Sequence, residues 1–251
     1  DIVASSKTGS GKTLAFLVPC IHRLLTSRAL SKRDPRVIIL APTRELAKQV
    51  FLEAKWLTSG MPLSCQLIVG GENYNEQIKT LRKNPQVIIG TAGRIADHLN
   101  SKSFFINGLE LLIMDEADRM LDLGFTEQLS LINQLADHRK RQTMMFSATV
   151  GKIEVNKLAE SLLKSPVRIA VGEATEQHRD IKQTYCFTDH IEQKSVMLEK
   201  LLSEHTFTQA IIFAATREDT ERLATQLNKQ DFNAIALHAE LAQNVRSNVM
   251  N

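Results

Sequence analysis

Eight consecutive residues, Ser6-Lys7-Thr8-Gly9-Ser10-Gly11-Lys12-Thr13, combine glycines, lysines and hydroxyls in an order suited to cradling phosphate groups. Gly9 and Gly11 let the backbone curl until successive N–H groups face inward around anionic oxygens, at the start of a helix whose dipole favours negative charge. Lys12 then reaches the terminal phosphates of a nucleotide. The Thr13 hydroxyl becomes a ligand for Mg2+, a hard ion that keeps an octahedral shell of oxygens. A glycine-rich turn with a surface lysine would contain the same residue types. The flanking pattern, a strand-like run before the loop and a helix-like one after it, favours the phosphate loop.

A second cluster, Asp115, Glu116 and Asp118, follows the apolar run LLIM. Carboxylates after such a run sit at the C-terminal edge of a sheet, where ligands bind in open α/β folds. Asp115 suits a carboxylate that holds Mg2+, and Glu116 suits one that orients the attacking water and takes its proton. Three acids there would also serve as a helix cap. Their pairing with a phosphate loop favours the catalytic reading, with Lys12 completing the set.

Both clusters need a scaffold, and the rest of the chain describes one. Short β-branched runs alternate with longer amphipathic stretches: DIVAS then a helix over 12–25, RVIILA then 44–57, QLIVG then 73–81, QVIIG then 94–99. LELLIMD, QTMMFSA and VRIAV continue the series. Strands that are apolar throughout must be buried on both faces, so the pattern predicts a doubly wound α/β domain with a parallel sheet between helix layers. It closes at residue 172, and the polar stretch 173–180 reads as a linker. A second unit over 181–251 repeats the rhythm, with KQTYCF, QAIIFAA and NAIAL as strands and helices over 190–202 and 217–229. Three strands make an unfinished sheet, which predicts that the natural protein continues past Asn251.

Apolar residues form 43% of the chain and charged residues 24%, the balance of a folded globular protein rather than a disordered one. No apolar run reaches the roughly 20 residues of a membrane span, and the first residues lack a signal-peptide series, so neither membrane insertion nor export is expected. Cys20, Cys65 and Cys186 form no CxxC pair. That predicts neither a disulfide framework nor a zinc site, and suits a cytoplasmic setting. Residues 1–172 carry a charge of +7 and residues 173–251 one of −4, so phosphate contacts are expected in the first part. The seven histidines, His238 among them, fall into no metal-ligand pattern and are read as structural. Trp56, at helical spacing with apolar neighbours, is read as core.

The tetrapeptide Asp115-Glu116-Ala117-Asp118, standing behind a phosphate loop, resembles the signature of the DEAD-box family of superfamily 2 RNA helicases. Further segments match in family order: PTRELA with Pro42, Thr43 and Arg44, then Gly70-Gly71, then Thr91-Ala92-Gly93-Arg94, then Ser147-Ala148-Thr149. Each stands at a predicted strand end, so the resemblance spans residues 6–149. In the second unit, IIFAAT and Gln243-Asn244-Val245-Arg246 resemble, less specifically, early motifs of the family's second RecA-like domain. The resemblance makes residues 1–172 the first RecA-like domain and 181–251 the N-terminal part of a truncated second one.

It also implies an ATP-dependent RNA helicase. ATP and Mg2+ would be the cofactors, with Ser6, Lys7, Thr8, Gly9, Ser10, Gly11, Lys12 and Thr13 on the nucleotide. Asp118, Ser147, Ala148 and Thr149 would couple nucleotide state to RNA-binding geometry. Pro42, Thr43, Arg44, Gly70, Gly71, Thr91, Gly93, Arg94, Gln243 and Arg246 are the implied RNA contacts. Their chemistry agrees, since arginine pairs with phosphate and glycine admits a sugar-phosphate strand close to the main chain. Contacts of this kind read backbone and 2′-OH, so sequence-independent binding of single-stranded or duplex RNA by a monomer is expected.

Three positions depart from the family pattern. Ser6 and Lys7 stand where Ala and Gln are usual, and Ala92 replaces a proline, giving up a pre-set backbone angle. The family's adenine-reading glutamine segment would lie upstream of Asp1, and the late second-domain arginines beyond Asn251. An arginine finger is worth about 10³–10⁵ in rate, so this chain alone is expected to bind ATP weakly and turn it over hardly at all. Two rival readings are a catalytically silent RNA-binding scaffold and a phosphate-loop ATPase acting on DNA or protein. Intact Lys12, Asp115 and Glu116 argue against the first, and the ordered RNA-type motifs against the second.

Overall fold

The computed structural model describes residues 1–6, 9–31, 33–136, 138, 140–148, 153–171, 181–204 and 208–250. The chain divides into two compact units, residues 1–177 and 178–251. The stretch expected as a linker, 173–180, lies outside the described residues.

In the first unit seven strands make one sheet: β1 (Ile2–Ser6), β2 (Val37–Ala41), β3 (Cys65–Ile68), β4 (Val87–Thr91), β5 (Leu111–Met114), β6 (Gln142–Ser147) and β7 (Val167–Val171). Their order is β3-β4-β2-β5-β6-β1-β7, and every pairing is parallel. The connections carry α1 (Lys12–Thr26), α2 (Arg44–Leu57), α3 (Tyr74–Leu81), α4 (Ala92–Asn100), α5 (Ala117–Asp122), α6 (Thr126–Leu135) and α7 (Ile153–Leu162). This is the doubly wound α/β arrangement that the strand–helix alternation predicts, and it agrees with the RecA-like fold that the resemblance implies.

Side chains alternate along a strand, so a fully apolar strand feeds two cores at once. Val37, Ile39 and Ala41 of β2 join Ile89 and Ile113 against Phe16, Leu17 and Cys20 of α1 and Ala47, Val50 and Ala54 of α2. Ile38 and Leu40, one residue out of step, join Ile88, Leu112 and Met114 in a second cluster with residues of α4, α6 and α7. Burying one such side chain contributes about 1.5–3 kcal/mol, so the central strands hold the unit together. Ile39→Ala, at a position with no exposure, would cost about 2–5 kcal/mol. Only β1 pairs with β7, which leaves the edge strand's Val167 and Val171 exposed.

Hydroxyl and amide side chains cap two of the helices that follow strands. Thr43 Oγ1 accepts from Leu46 N to begin α2, and Asn73 Oδ1 accepts from Asn75 N and Glu76 N to begin α3. At the opposite end of the sheet, before β2 and β5, Arg36 and Glu110 form a buried bidentate pair, Nε to Oε1 at 2.6 Å and Nη2 to Oε2 at 3.0 Å.

Trp56 departs from the sequence reading. It is 75% exposed, and Leu52 on the same helix is exposed as well. The buried stripe of α2 is Ala47, Val50 and Ala54, and Trp56 lies two residues past Ala54, just over half a turn around the helix. Leu46, Phe51 and Leu57 flank that stripe against the core, whereas Leu52 and Trp56 face out.

The second unit holds α8 (Ile191–Glu204), α9 (Arg217–Asn228) and α10 (Gln243–Met250). The segments 182–187, 209–215 and 233–237, read as strands, pair in no ladder among the described residues. Tyr185, Phe187, Ile211 and Phe213 are each more than four-fifths exposed, and Leu227 is the one apolar side chain buried among the described residues of this unit. A ladder needs a buried face to be stable in water, and these segments have none.

Candidate functional site

The strand order sorts the motifs along one edge of the sheet. Reading across the C-terminal ends, β3 leads into Gly70-Gly71, β4 into Thr91–Arg94, and β2 into Pro42–Arg44. Next come Asp115–Asp118 after β5, Ser147-Ala148 after β6, and the phosphate loop after β1. Three RNA-type segments therefore lie side by side, as do three nucleotide-type segments, although the chain visits them in a mixed order.

In the phosphate loop, Gly9 and Gly11 adopt φ +78° and +86°, left-handed angles that glycine takes without steric cost. Gly11 caps α1 without a side-chain bond, and no acid lies in the first helical turn. N–H groups at such a helix start suit an anion. Lys12 Nζ donates to Ser6 O at 2.8 Å, and Ser10 Oγ donates to Ser6 Oγ at 2.8 Å. The lysine thus folds back over its own loop, and Thr13 follows it half-buried. Lys7 and Thr8 lie outside the described residues.

Asp115 directly follows β5, with its N–H donated to Leu40 O at 2.9 Å. The residue is 3% exposed, and Oδ1 has no hydrogen-bond partner among the described residues. Burial first, and then the neighbouring Glu116, push its carboxyl up to about 6, while the Lys12 ammonium pulls the other way. Lys12 and Asp115 therefore act on each other across the gap between β1 and β5. A buried carboxylate oxygen without a proton donor suits a cation, so these residues fit Mg2+. Among the described residues no three metal-ligating side chains come together, and an ion completed by water and phosphate oxygens needs no such trio.

Glu116 has φ +52° and ψ +52°, uncommon for a residue with a side chain. It stands at the N-cap of α5, with its carboxylate 3.5 Å from Arg119 Nη1. Asp118 and Ser147 are buried and Ala148 is exposed, while Thr149 lies outside the described residues. An open groove of about 560 Å³, lined by Asp118, Asp122 and Glu154 among others, shares one residue with this cluster but neither Lys12 nor Asp115.

On the RNA-type side, the guanidinium of Arg44 lies against Gly70 and Gly71. Pro42 and Thr91 are buried, and Gly93 stands beneath the Phe125 ring, from which a Cβ would be 3.7 Å. Arg94 Nη1 donates to Glu72 O at 3.1 Å and Gln77 Oε1 at 3.0 Å, and its Cζ is 5.4 Å from the Tyr74 ring centroid. His98 stacks on Tyr74 with centroids 4.1 Å apart, and its Nε2 lies 3.0 Å from Gln77 Oε1. Tyr74, Gln77 and His98 were not among the residues expected at the site. Their spacing, 74/77 and 94/98, marks two helix faces, but nothing local indicates that the faces meet. Gln243 and Arg246 sit in α10, within the second unit.

A family model described as DEAD/DEAH box helicase matches residues 1–158. The chain is 35% identical over 247 residues to the ATP-dependent RNA helicase SrmB of Escherichia coli, covering 98% of this chain and 55% of that protein. It is 37% identical over 251 residues to the ATP-dependent RNA helicase RhlB of Pseudoalteromonas atlantica, covering 100% and 59%. The crystal structure of a DEAD box protein from the hyperthermophile Methanococcus jannaschii matches with a TM-score of 0.61 at 32% identity, over 100% of this chain and 65% of that one. The chain thus spans little more than half the length of these curated relatives. Because the family model runs from the first strand through all six motif-bearing strand ends, this chain belongs to the DEAD/DEAH box helicase family.

Proposed function

We propose that the protein is an ATP-dependent RNA helicase that couples RNA-stimulated hydrolysis of ATP to local unwinding of short RNA duplexes or remodelling of ribonucleoprotein. The observation that carries this is the placement of the phosphate loop and the Asp115–Asp118 segment at the same sheet edge that presents Arg44 and Arg94. In this reading residues 1–172 are the first RecA-like domain, and 181–251 belong to the second.

Residues 6–13 hold the phosphates, and Lys12 exchanges its bond to Ser6 O for one to the β- and γ-phosphates. The Thr13 hydroxyl and the Asp115 carboxylate would hold Mg2+, partly through water; the ion supplies neutralisation of charge on the phosphate oxygens. Glu116 takes the proton of a water that attacks the γ-phosphorus in line, breaking the β–γ anhydride and releasing ADP and phosphate. Asp118, Ser147, Ala148 and Thr149 link that step to the neighbouring RNA-type segments. Thr43, Arg44, Gly70, Gly71, Thr91, Gly93 and Arg94, with Gln243 and Arg246 from the second unit, contact the RNA backbone. Such contacts carry no base readout, so binding is sequence-independent and a monomer suffices.

The test is ATP turnover by the full-length protein with and without single-stranded RNA, beside Glu116→Gln. RNA-stimulated turnover that disappears in the variant supports the assignment. RNA binding without turnover in the unaltered protein would instead support a silent scaffold.

A further inference from the structure

Arg94 is held by a small polar cluster buried between two helices, and the cluster's hydrogen bonds fix its own protonation. Gln77 Nε2 donates to Val69 O at 2.8 Å, which orients the amide and turns Oε1 toward α4. That oxygen receives Arg94 Nη1 and meets His98 Nε2, each at 3.0 Å. Since an amide oxygen only accepts, Nε2 must carry the His98 proton, and the network thereby assigns the tautomer. Burial and the nearby Arg94 keep the ring neutral, its pKa lowered to about 4. The other face of the arrangement is aromatic. Tyr74 stacks on His98 within 5° of parallel and ties its hydroxyl to Ser101 Oγ at 2.6 Å.

This arrangement leaves His98 Nδ1 buried without a partner among the described residues. An apolar residue would fill the same space without an unpaired acceptor, so packing alone does not call for histidine. What histidine and glutamine provide here is a fixed seat for a guanidinium. Nη1 is committed to Glu72 O and Gln77 Oε1, whereas Nη2 makes no hydrogen bond among the described residues. The Arg94 side chain is 15% exposed, so part of it meets solvent.

We propose that Gln77 and His98 are positioning residues for RNA binding, holding the Arg94 guanidinium with its Nη2 edge set for a backbone phosphate. The inference rests on the reading of Arg94 as an RNA-phosphate contact. Holding a long side chain in its bound geometry before the ligand arrives removes an ordering cost from binding, worth about 3- to 10-fold in affinity.

The experiment measures binding of a fluorescent oligouridine single strand to the full-length protein, with a non-hydrolysable ATP analogue present, over a series of salt concentrations. The variants are Gln77→Leu, His98→Phe, His98→Gln and Arg94→Gln, together with each of the first two combined with Arg94→Gln. Gln77→Leu and His98→Phe should each weaken binding, and His98→Gln, which keeps a donor near the Nε2 position, should recover most of the loss. Neither Gln77→Leu nor His98→Phe should weaken binding further once Arg94 is replaced. Arg94→Gln should also flatten the logarithmic salt slope by about 0.7.

If Gln77→Leu and His98→Phe weaken binding equally in both backgrounds, their role is structural and the inference fails. If Arg94→Gln weakens binding but both single variants leave it unchanged, the inference fails while the reading of Arg94 stands. If Arg94→Gln changes neither affinity nor salt slope, the phosphate contact itself is refuted, and the positioning role with it.

Discussion

The guanidinium of Arg44 rests on the backbone of Gly71, so closely that a Cβ there would stand 2.9 Å from its Cζ. Gly71 also has φ +78°. The glycine doublet is therefore the floor beneath an arginine from a different strand end, as well as an expected RNA contact. Gly71→Ala should cost about 1–2 kcal/mol in left-handed strain and push the flexible arginine tip aside. Its RNA affinity should fall toward that of Arg44→Ala, with the melting temperature only a few degrees lower. Unchanged RNA binding by the folded variant would refute the seat.

Gly90 makes a useful contrast. A Cβ there would meet the backbone of Ile68 on the neighbouring strand, its carbonyl carbon only 2.9 Å away, and a ladder cannot step aside as a side chain can. Gly90→Ala should cost about 3 kcal/mol or more, the upper end for overpacking. A urea midpoint within error of the unaltered chain would contradict the β3–β4 pairing.

His98 and Asp115 should pull stability in opposite directions as the pH falls. His98 is lowered from 6.5 to about 4, so between those values the unfolded chain holds a proton that the folded one lacks, and acid removes stability. Asp115 is raised from 3.8 to about 6, so there the folded chain holds the extra proton, and acid adds stability. Each effect is on the order of 3 kcal/mol. Asp115→Asn should be more stable than the unaltered chain at pH 7.5 without Mg2+, and should lose stability more steeply on acidification. His98→Phe should show the reverse slope. Urea midpoints from pH 4 to 7.5 in a chelator check this, and three parallel profiles would exclude it.

Arg36 and Glu110 lie at the sheet edge away from the motifs, with Arg36 also bonded to Leu24 O at 2.8 Å and Ser27 Oγ at 2.7 Å. Removing one partner leaves a buried charge, so Glu110→Gln should cost about 3–5 kcal/mol. Replacing both, as Arg36→Met with Glu110→Leu, should recover most of that loss. Denaturant midpoints read the difference, and RNA affinity of the folded variants should not change.

Trp56 is the chain's one tryptophan and is largely in water. Its emission should resemble that of free tryptophan and be readily quenched by acrylamide, and Trp56→Gln should shift stability by under about 0.5 kcal/mol. A blue-shifted, protected fluorophore would restore the reading of Trp56 as core.

What the sequence determined by itself is whatever is local in the chain. The phosphate loop and the Asp115–Asp118 segment could be read because each carries its chemistry in consecutive residues. The helix over 44–57 was legible to the residue, because capping and periodicity act within a few turns. The parallel sheet was legible because only strands buried on both faces are apolar throughout. Tertiary structure decided what depends on which segments become neighbours. The strand order gathers the motifs into two groups, seats Arg44 on Gly71, brings Gln77 to Arg94 and His98, and leaves Asp115 Oδ1 without a partner among the described residues. It also turned Trp56 outward, since a helical stripe does not say which of its sides the sheet will meet. In the second unit, strand propensity at 209–215 produced no ladder among the described residues, because a propensity belongs to one segment whereas a hydrogen-bonded pair, and the core that shelters it, requires another.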